Sequence, residues 1–108
     1  MLKLAHVAVA LTLGVGLASV ATVAAAETVN PAGEKLYKTA CIACHSTGVA
    51  NAPKVGNKEA WAPLIASGMD SMMAIAIKGK GAMPPRGASS ADDATLRAAV
   101  EYMVQASR

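Results

Sequence analysis

Two cysteines and a histidine stand close together in the sequence, in the order Cys41-Ile42-Ala43-Cys44-His45. This C-x-x-C-H spacing is typical of the attachment site of a c-type haem. The two thiols add across the two vinyl groups of one haem, and the neighbouring imidazole binds the iron from one face. In a helix, offsets of three and four residues from Cys41 lie on the same face. One helical turn therefore presents all three groups to a single porphyrin, and the motif predicts one covalently bound haem c.

Other chemistries also use a pair of cysteines. A thioredoxin-like redox pair would lie in a βαβ pattern, and no strand-rich stretch surrounds this motif. A structural zinc site needs a second pair of ligands, but the sequence has two cysteines in all and no histidine after His45. A disulfide between the two thiols is the plainest alternative in an oxidising compartment, and attachment of both thiols to haem would remove it.

A second candidate site lies in residues 79–85, GKGAMPP. A thioether sulfur opposite a histidine is a known way of holding haem iron, and it raises the reduction potential. Pro84 directs the residue before it towards extended backbone, and Gly79 and Gly81 allow the chain to approach the ring face. We therefore expect Met83 to be the sixth iron ligand. The other methionines of this half lie on helical patterns and are expected to fill the core: Met69, Met72, Met73 and Met103.

The N-terminal segment, residues 1–26, has the pattern of an export signal. Lys3 gives a positive start, a long apolar run follows, and three alanines end the segment. We expect cleavage after Ala26, which removes His6 and leaves residues 27–108 as one exported, periplasmic domain with no membrane span. An uncleaved membrane anchor is the alternative, because the apolar run approaches the length of a bilayer span.

The remaining domain is poor in large apolar side chains, since the whole sequence has no Phe, one Trp and two Tyr. A chain of this length usually needs a metal, disulfides or another cross-link to be stable. A covalent haem would supply the missing apolar body. Trp61, the single tryptophan, is expected in the core, and its indole N–H could also reach a haem propionate.

Helices are expected on both sides of the two sites. Asn30-Pro31 is typical of a helix start, and this first helix runs into the C-x-x-C-H motif. Gly33 lies in that helix, where glycine lowers stability relative to alanine. Either the first turn simply tolerates it, or the close approach of another helix requires a residue without a side chain. Residues 46–58 read as a loop. Helices are then expected at residues 58–66 and 69–78 and after a capping-box-like stretch that starts at Ser90. The last helix carries an apolar stripe: Leu96, Ala99, Val100, Met103 and Val104.

The haem motif with Met83 far downstream resembles a class I cytochrome c. Residues 52–58 (APKVGNK), 61–63 (WAP) and 79–85 are similar to the cytochrome c5 subgroup. The resemblance implies an all-α, small class I cytochrome c fold, with about four short helices wrapped around one covalently attached haem. It also implies that the carbonyl of Pro53 orients His45.

The resemblance implies a close crossing of the first and last helices, with contacts among four residues: Gly33, Tyr37, Leu96 and Val100. Some members of the subgroup carry an additional cysteine pair near the C-terminal region. This sequence lacks that pair, so it cannot form the corresponding disulfide.

The resemblance further implies a periplasmic single-electron carrier of a respiratory or related chain, and not an enzyme. Its partners would be redox proteins such as a terminal oxidase or reductase. A tethered subunit of a larger redox complex is one alternative. A haem peroxidase or gas-binding protein is another, but it needs an open iron position, which ligation by both His45 and Met83 would close. No nucleic-acid-binding motif appears.

The distribution of charge bears on those partners. The sequence has 10 basic and 7 acidic residues, and several basic ones fall in the loops expected to surround the haem edge: Lys54, Lys58, Lys78, Lys80 and Arg86. A basic ring there would steer acidic docking surfaces of the partners. Solvated lysines without a partner are the alternative.

Overall fold

The computed structural model describes residues 8–21 and 28–108. Residues 8–21 form neither helix nor strand, and their apolar side chains are exposed. His6 and the expected cleavage point after Ala26 lie outside the described residues. Export and cleavage therefore stay predictions.

Helices supply the regular structure of residues 28–108. Helix α1, Pro31–Leu36, continues through a π-helical turn, Tyr37–Cys41, into α2, Ile42–His45. Three longer helices follow: α3 at Lys58–Ser67, α4 at Met69–Lys78 and α5 at Asp93–Gln105, with short 3₁₀ turns at Val49–Asn51 and Pro85–Ala88. Because α1 and α2 belong to one continuous helical run, the described part of the chain has four helical bodies. The all-α prediction is confirmed.

No single helix among the described residues is both long and apolar enough to cross a membrane. Helices α3 and α4 pass that test only as a pair, and the chain bends by 102° between them.

Side chains at the helix starts satisfy backbone N–H groups that have no partner inside the helix. Asn30 caps α1 as expected, with its side-chain oxygen accepting from Ala32 N at 3.0 Å. The cap of α5 is Asp92, which accepts from Thr95 N at 2.8 Å, and not Ser90, where the capping pattern was expected to start. This hydrogen bond holds the pKa of Asp92 below its usual value.

The first and last helices cross at Gly33, which is buried. A Cβ atom built on Gly33 would overlap the backbone carbonyl of Ala98 and lie 2.9 Å from its Cβ. Close approach of α5 is therefore the reason for a glycine at this place in α1. The expected crossing is confirmed, but the residue directly opposite Gly33 is Ala98, which lies beside the predicted apolar stripe and not on it.

The core is formed largely by α5, whose whole predicted stripe is buried. Tyr37 of the π-helical turn belongs to the same cluster. Its ring lies 5.0 Å from that of Tyr102, centroid to centroid, at an interplanar angle of 41°. Burial is the main cause of the raised pKa of Tyr37. This packing fixes the helical run that carries the two cysteines and His45 against α5.

Candidate haem-binding site

The C-x-x-C-H motif straddles the junction between the π-helical turn and α2. The N–H of Ile42 donates to Tyr37 O, five residues back, which gives the wider π-helical turn. Such turns are often found at functional sites. Cys41 is partly buried, Cys44 is exposed and His45 is buried. Burial raises the pKa of the Cys41 thiol.

The orientation of His45 is fixed from the loop that follows α2. Its Nδ1 lies 2.9 Å from the carbonyl oxygen of Pro53. Because a carbonyl only accepts, Nδ1 must carry the proton in this hydrogen bond, which leaves Nε2 with its lone pair free for a metal. The backbone adds a second tie, since Val55 N donates to His45 O at 2.7 Å. The contact between Pro53 and His45 that the resemblance implied is present.

Trp61 lies beside the histidine, at 6.1 Å between ring centroids, and is 3% exposed. Its indole N–H donates to the backbone carbonyl of Lys54 at 2.9 Å. The expected alternative partner of this donor was a haem propionate, but in the structure the indole N–H is bonded to the loop that orients His45. Trp61 therefore serves the site through packing and through this backbone bond.

The segment around Met83 is a tight turn. Lys80 N donates to Met83 O at 3.0 Å, and Met83 N donates to Lys80 O at 2.9 Å. Gly79 precedes the turn with a φ of 78°, and a Cβ there would lie 2.6 Å from Met83 O and 2.9 Å from Pro85 N. The backbone of Met83 is thus held by two hydrogen bonds and by a close packing that only glycine permits.

All four candidate haem-binding side chains line one cavity of about 790 Å³: Cys41, Cys44, His45 and Met83. This volume lies in the range of roughly 300–1,000 Å³ that proteins use for small-molecule and cofactor sites. Two thiols, an imidazole and a thioether form the donor set expected for a covalently held haem with two axial ligands. These residues therefore fit the group.

The rest of the wall is mostly apolar and comes from three helices and from the loops at residues 48–57 and 80–87. Trp61 and Leu64 of α3 line it, as do residues of α4 and α5: Met72, Ile75, Ala76, Leu96, Ala99, Val100 and Met103. The sequence patterns predicted most of these residues as core. They did not show that Leu64 also belongs to this wall or that Met72 and Met103 face the same cavity as Met83.

The basic residues near the site fall into two kinds. Lys54 and Lys80 are exposed and line the cavity. Arg86 is not part of a free basic ring, because its guanidinium donates to Ala91 O at 3.0 Å and to Asp93 Oδ1 at 2.5 Å. Its backbone has a φ of 56°, which is uncommon outside glycine. Arg86 thus fastens the chain after Met83 to the start of α5.

Comparisons with known proteins agree with this geometry. The family model described as "Cytochrome C oxidase, cbb3-type, subunit III" matches residues 29–103. A cytochrome c-555 of Chlorobaculum thiosulfatiphilum is 49% identical over 82 residues, which cover 71% of this chain and 95% of that protein. A cytochrome c5 of Azotobacter vinelandii is 39% identical over 74 residues, 66% of this chain and 89% of that protein.

Solved structures of cytochromes c are also similar to this chain. A chain from the crystal structure of the electron transfer complex of nitrite reductase with cytochrome c aligns with a TM-score of 0.73 and 63% identity. The alignment covers 75% of this chain and 100% of that chain. A mono-haem ferrocytochrome c from Shewanella putrefaciens aligns with a TM-score of 0.62 and 41% identity, covering 68% and 93% of the two chains.

With a helical fold, a cysteine–histidine motif and a methionine that line one cavity, and relatives matched over nearly their whole length, the chain belongs to the class I c-type cytochromes. It carries one covalently attached haem c. It is an electron carrier that works with redox proteins, and not an enzyme.

Proposed function

We propose that Cys41 and Cys44 hold the haem by thioether bonds and that His45 and Met83 are the two axial ligands of its iron. The observation that supports this assignment is that all four side chains line one cavity. Bound haem supplies an iron that accepts and releases one electron. The chain supplies His45 in one tautomer, a methionine on a rigid turn and a mostly apolar wall that limits access of water.

Ligation by both His45 and Met83 would occupy the iron on both faces and would suit the site to electron transfer. Hydrogen bonds to Pro53 and Val55 fix His45, and the paired bonds to Lys80 fix the backbone of Met83. Little needs to rearrange when the oxidation state changes. A peroxidase or gas-binding protein would need one face of the iron open, so this arrangement disfavours that function.

Replacement of Met83 tests the ligand assignment. Met83→Ala should abolish the weak sulfur-to-iron charge-transfer band of the oxidised protein, lower the reduction potential and admit carbon monoxide to the reduced protein. Met73→Ala is the matched control, because Met73 is buried but does not line the cavity. Met72→Ala and Met103→Ala are stricter controls, since both residues line it. If the band survives Met83→Ala, or disappears with Met72→Ala or Met103→Ala, the assignment is wrong.

For the partners, we propose an acidic docking surface that meets the lysines at the mouth of the cavity. Lys54 and Lys80 support this, because both are exposed and both line the cavity. Electron transfer to the partner should slow as salt rises, since exposed charges are screened within about 10 Å at 0.1 M ionic strength. Lys54→Glu and Lys80→Glu should slow association more than Lys35→Glu, which reverses an exposed charge on α1. A rate that does not depend on salt would contradict steering.

A reductase is the class of partner we propose first, because a chain 63% identical to this one comes from a complex of nitrite reductase with cytochrome c. Stopped-flow mixing of the reduced protein with a purified nitrite reductase and with a purified terminal oxidase would compare the two classes. Faster second-order transfer to the oxidase would overturn this order.

We further propose that the protein works in the periplasm after loss of residues 1–26. The apolar run and the three alanines of the N-terminal segment support this. The tethered subunit stays the second candidate, because the matching family model is named for an oxidase subunit. The intact mass of the protein purified from its own host distinguishes the two. A mature chain that starts at Glu27 supports the free carrier, and a retained N-terminus supports the tether.

A further inference from the structure

Four consecutive residues of the loop after α2, Pro53 to Gly56, each make a backbone hydrogen bond to a group outside that segment. Pro53 O accepts from the His45 ring at 2.9 Å, and Val55 N donates to His45 O at 2.7 Å. Lys54 O accepts from the Trp61 indole at 2.9 Å and from Asn57 N at 3.0 Å. Gly56 N donates to the hydroxyl oxygen of Ser107 at 3.0 Å. Pro53 and Val55 therefore bond to His45, whereas Lys54 and Gly56 connect the segment to other parts of the chain.

The tie to Ser107 is the one that reaches farthest along the chain, across 51 residues. Ser107 is 1% exposed and, with His45, one of two buried polar side chains among the described residues. A buried hydroxyl is costly unless it is hydrogen-bonded. The Ser107 hydroxyl meets this need by accepting the N–H of Gly56, whose φ is 91°. Ser107 comes directly after the last turn of α5, and α5 also packs against α1.

We infer that Ser107 is a positioning residue for the iron ligand: through Gly56 it keeps the Pro53 carbonyl aligned on the His45 ring. This inference rests on the proposed ligation by His45. Its physical basis is that a hydrogen bond from the second ring nitrogen raises the basicity of a metal-bound imidazole. Ser107 thereby couples the C-terminal end of the chain to the electron density that His45 gives to the iron.

Removal of the Ser107 hydroxyl should loosen the segment without touching the cavity wall, which Ser107 does not line. In Ser107→Ala, exchange of the Gly56 amide proton should accelerate by about fivefold to tenfold, the factor that one net hydrogen bond supplies. The Nδ1 proton of His45 should also exchange faster. The reduction potential should rise, because a less basic imidazole stabilises the oxidised iron less.

The test uses the haem-loaded protein, with hydrogen exchange followed by NMR and the potential measured by voltammetry. Ser67→Ala is the matched control, because Ser67 ends α3 with an exposed hydroxyl that donates to Leu64 O at 2.6 Å. Neither the potential nor the His45 Nδ1 exchange should change in that variant. Trp61→Phe removes the indole bond to Lys54 O and leaves the bond from Asn57 N, so it should shift the potential and the His45 Nδ1 exchange in the same direction as Ser107→Ala.

Two outcomes would overturn the inference. Faster Gly56 exchange with an unchanged potential and unchanged His45 Nδ1 exchange would show a local structural role only. A Ser107→Ala variant that unfolds while Trp61→Phe leaves both measurements at their wild-type values would also contradict it. Failure of the ligation itself would be seen in the unmodified protein, whose His45 ring protons would then lack the shifts caused by bound iron.

Discussion

Met83 and Lys80 exchange both of their backbone hydrogen bonds, at 2.9 and 3.0 Å, and so form an isolated antiparallel bridge in a helical protein. The bridge closes a tight turn whose residues, Lys80 to Met83, line the same cavity as the C-x-x-C-H motif. A methionine on a flexible loop would lose rotational and backbone entropy each time it bound a metal. In this turn the backbone is ordered in advance, and only the side chain has to be placed.

Gly79→Ala should disrupt that turn. The new Cβ would lie 2.6 Å from Met83 O, and the residue would keep a φ of 78°, so we expect a cost of about 1–3 kcal/mol. The sulfur-to-iron band should weaken and the thermal midpoint should fall. Gly81→Ala is the control, because Gly81 has a φ of 57° but nothing within 4 Å of an added Cβ. Equal losses in the two variants would show that strain in φ alone is responsible.

Folding should depend on the haem. Without haem, the mostly apolar wall of a cavity of about 790 Å³ would be exposed to water, and small domains have only roughly 5–15 kcal/mol of stability to offset such a loss of apolar burial. The double variant Cys41→Ala/Cys44→Ala, produced in an export host, should therefore show little helix by circular dichroism.

Cys44→Ala alone is the control for that experiment, since it keeps one thioether position and both candidate axial ligands. It should retain bound haem and most of its helical signal. A haem-free double variant that is stably folded would contradict the dependence.

Gly33→Ala should separate α1 from α5. The added Cβ would overlap the Ala98 carbonyl, which is backbone and cannot move aside as a side chain would, and overpacking of this kind costs about 1–3 kcal/mol. Denaturant unfolding of the haem-loaded protein measures the loss. Lys35→Ala, an exposed change on the same helix, should have little effect. Similar midpoints for the two variants would mean that the crossing is not closely packed in solution.

Asp92 should contribute to the acid sensitivity of α5. Hydrogen bonding to Thr95 lowers its pKa in the folded chain, so its stabilising effect is present above the unfolded value of about 3.9. The effect is lost as pH falls through the lowered folded pKa. Asp92→Asn keeps the capping oxygen but does not titrate. The variant should lose less stability than the unmodified protein in urea titrations between pH about 5 and about 2, and parallel curves would contradict this.

Haem attachment and the two candidate ligands were predictable from the sequence because their chemistry is local. Cys41, Cys44 and His45 fall within about one helical turn, so their presence on one face followed from helical spacing, whereas the π-helical turn that ends at Cys41 was not predicted. Met83 was distinguished from the other methionines by the glycines and prolines beside it, which act on the adjacent backbone. The stripe of α5 was predictable for the same reason, since its spacing is set within one helix.

Contacts between residues that do not belong to the same helix were decided only by the tertiary structure. Ala98 opposite Gly33, the Lys54 carbonyl on the Trp61 indole and the Ser107 hydroxyl on Gly56 each depend on how two segments pack. Arg86 was expected in an exposed basic ring, yet its bond to Asp93 takes it out of that ring. Residue type determines which kinds of group a side chain can bond to, but not which of those groups lies within reach. That is decided only when the helices have packed together.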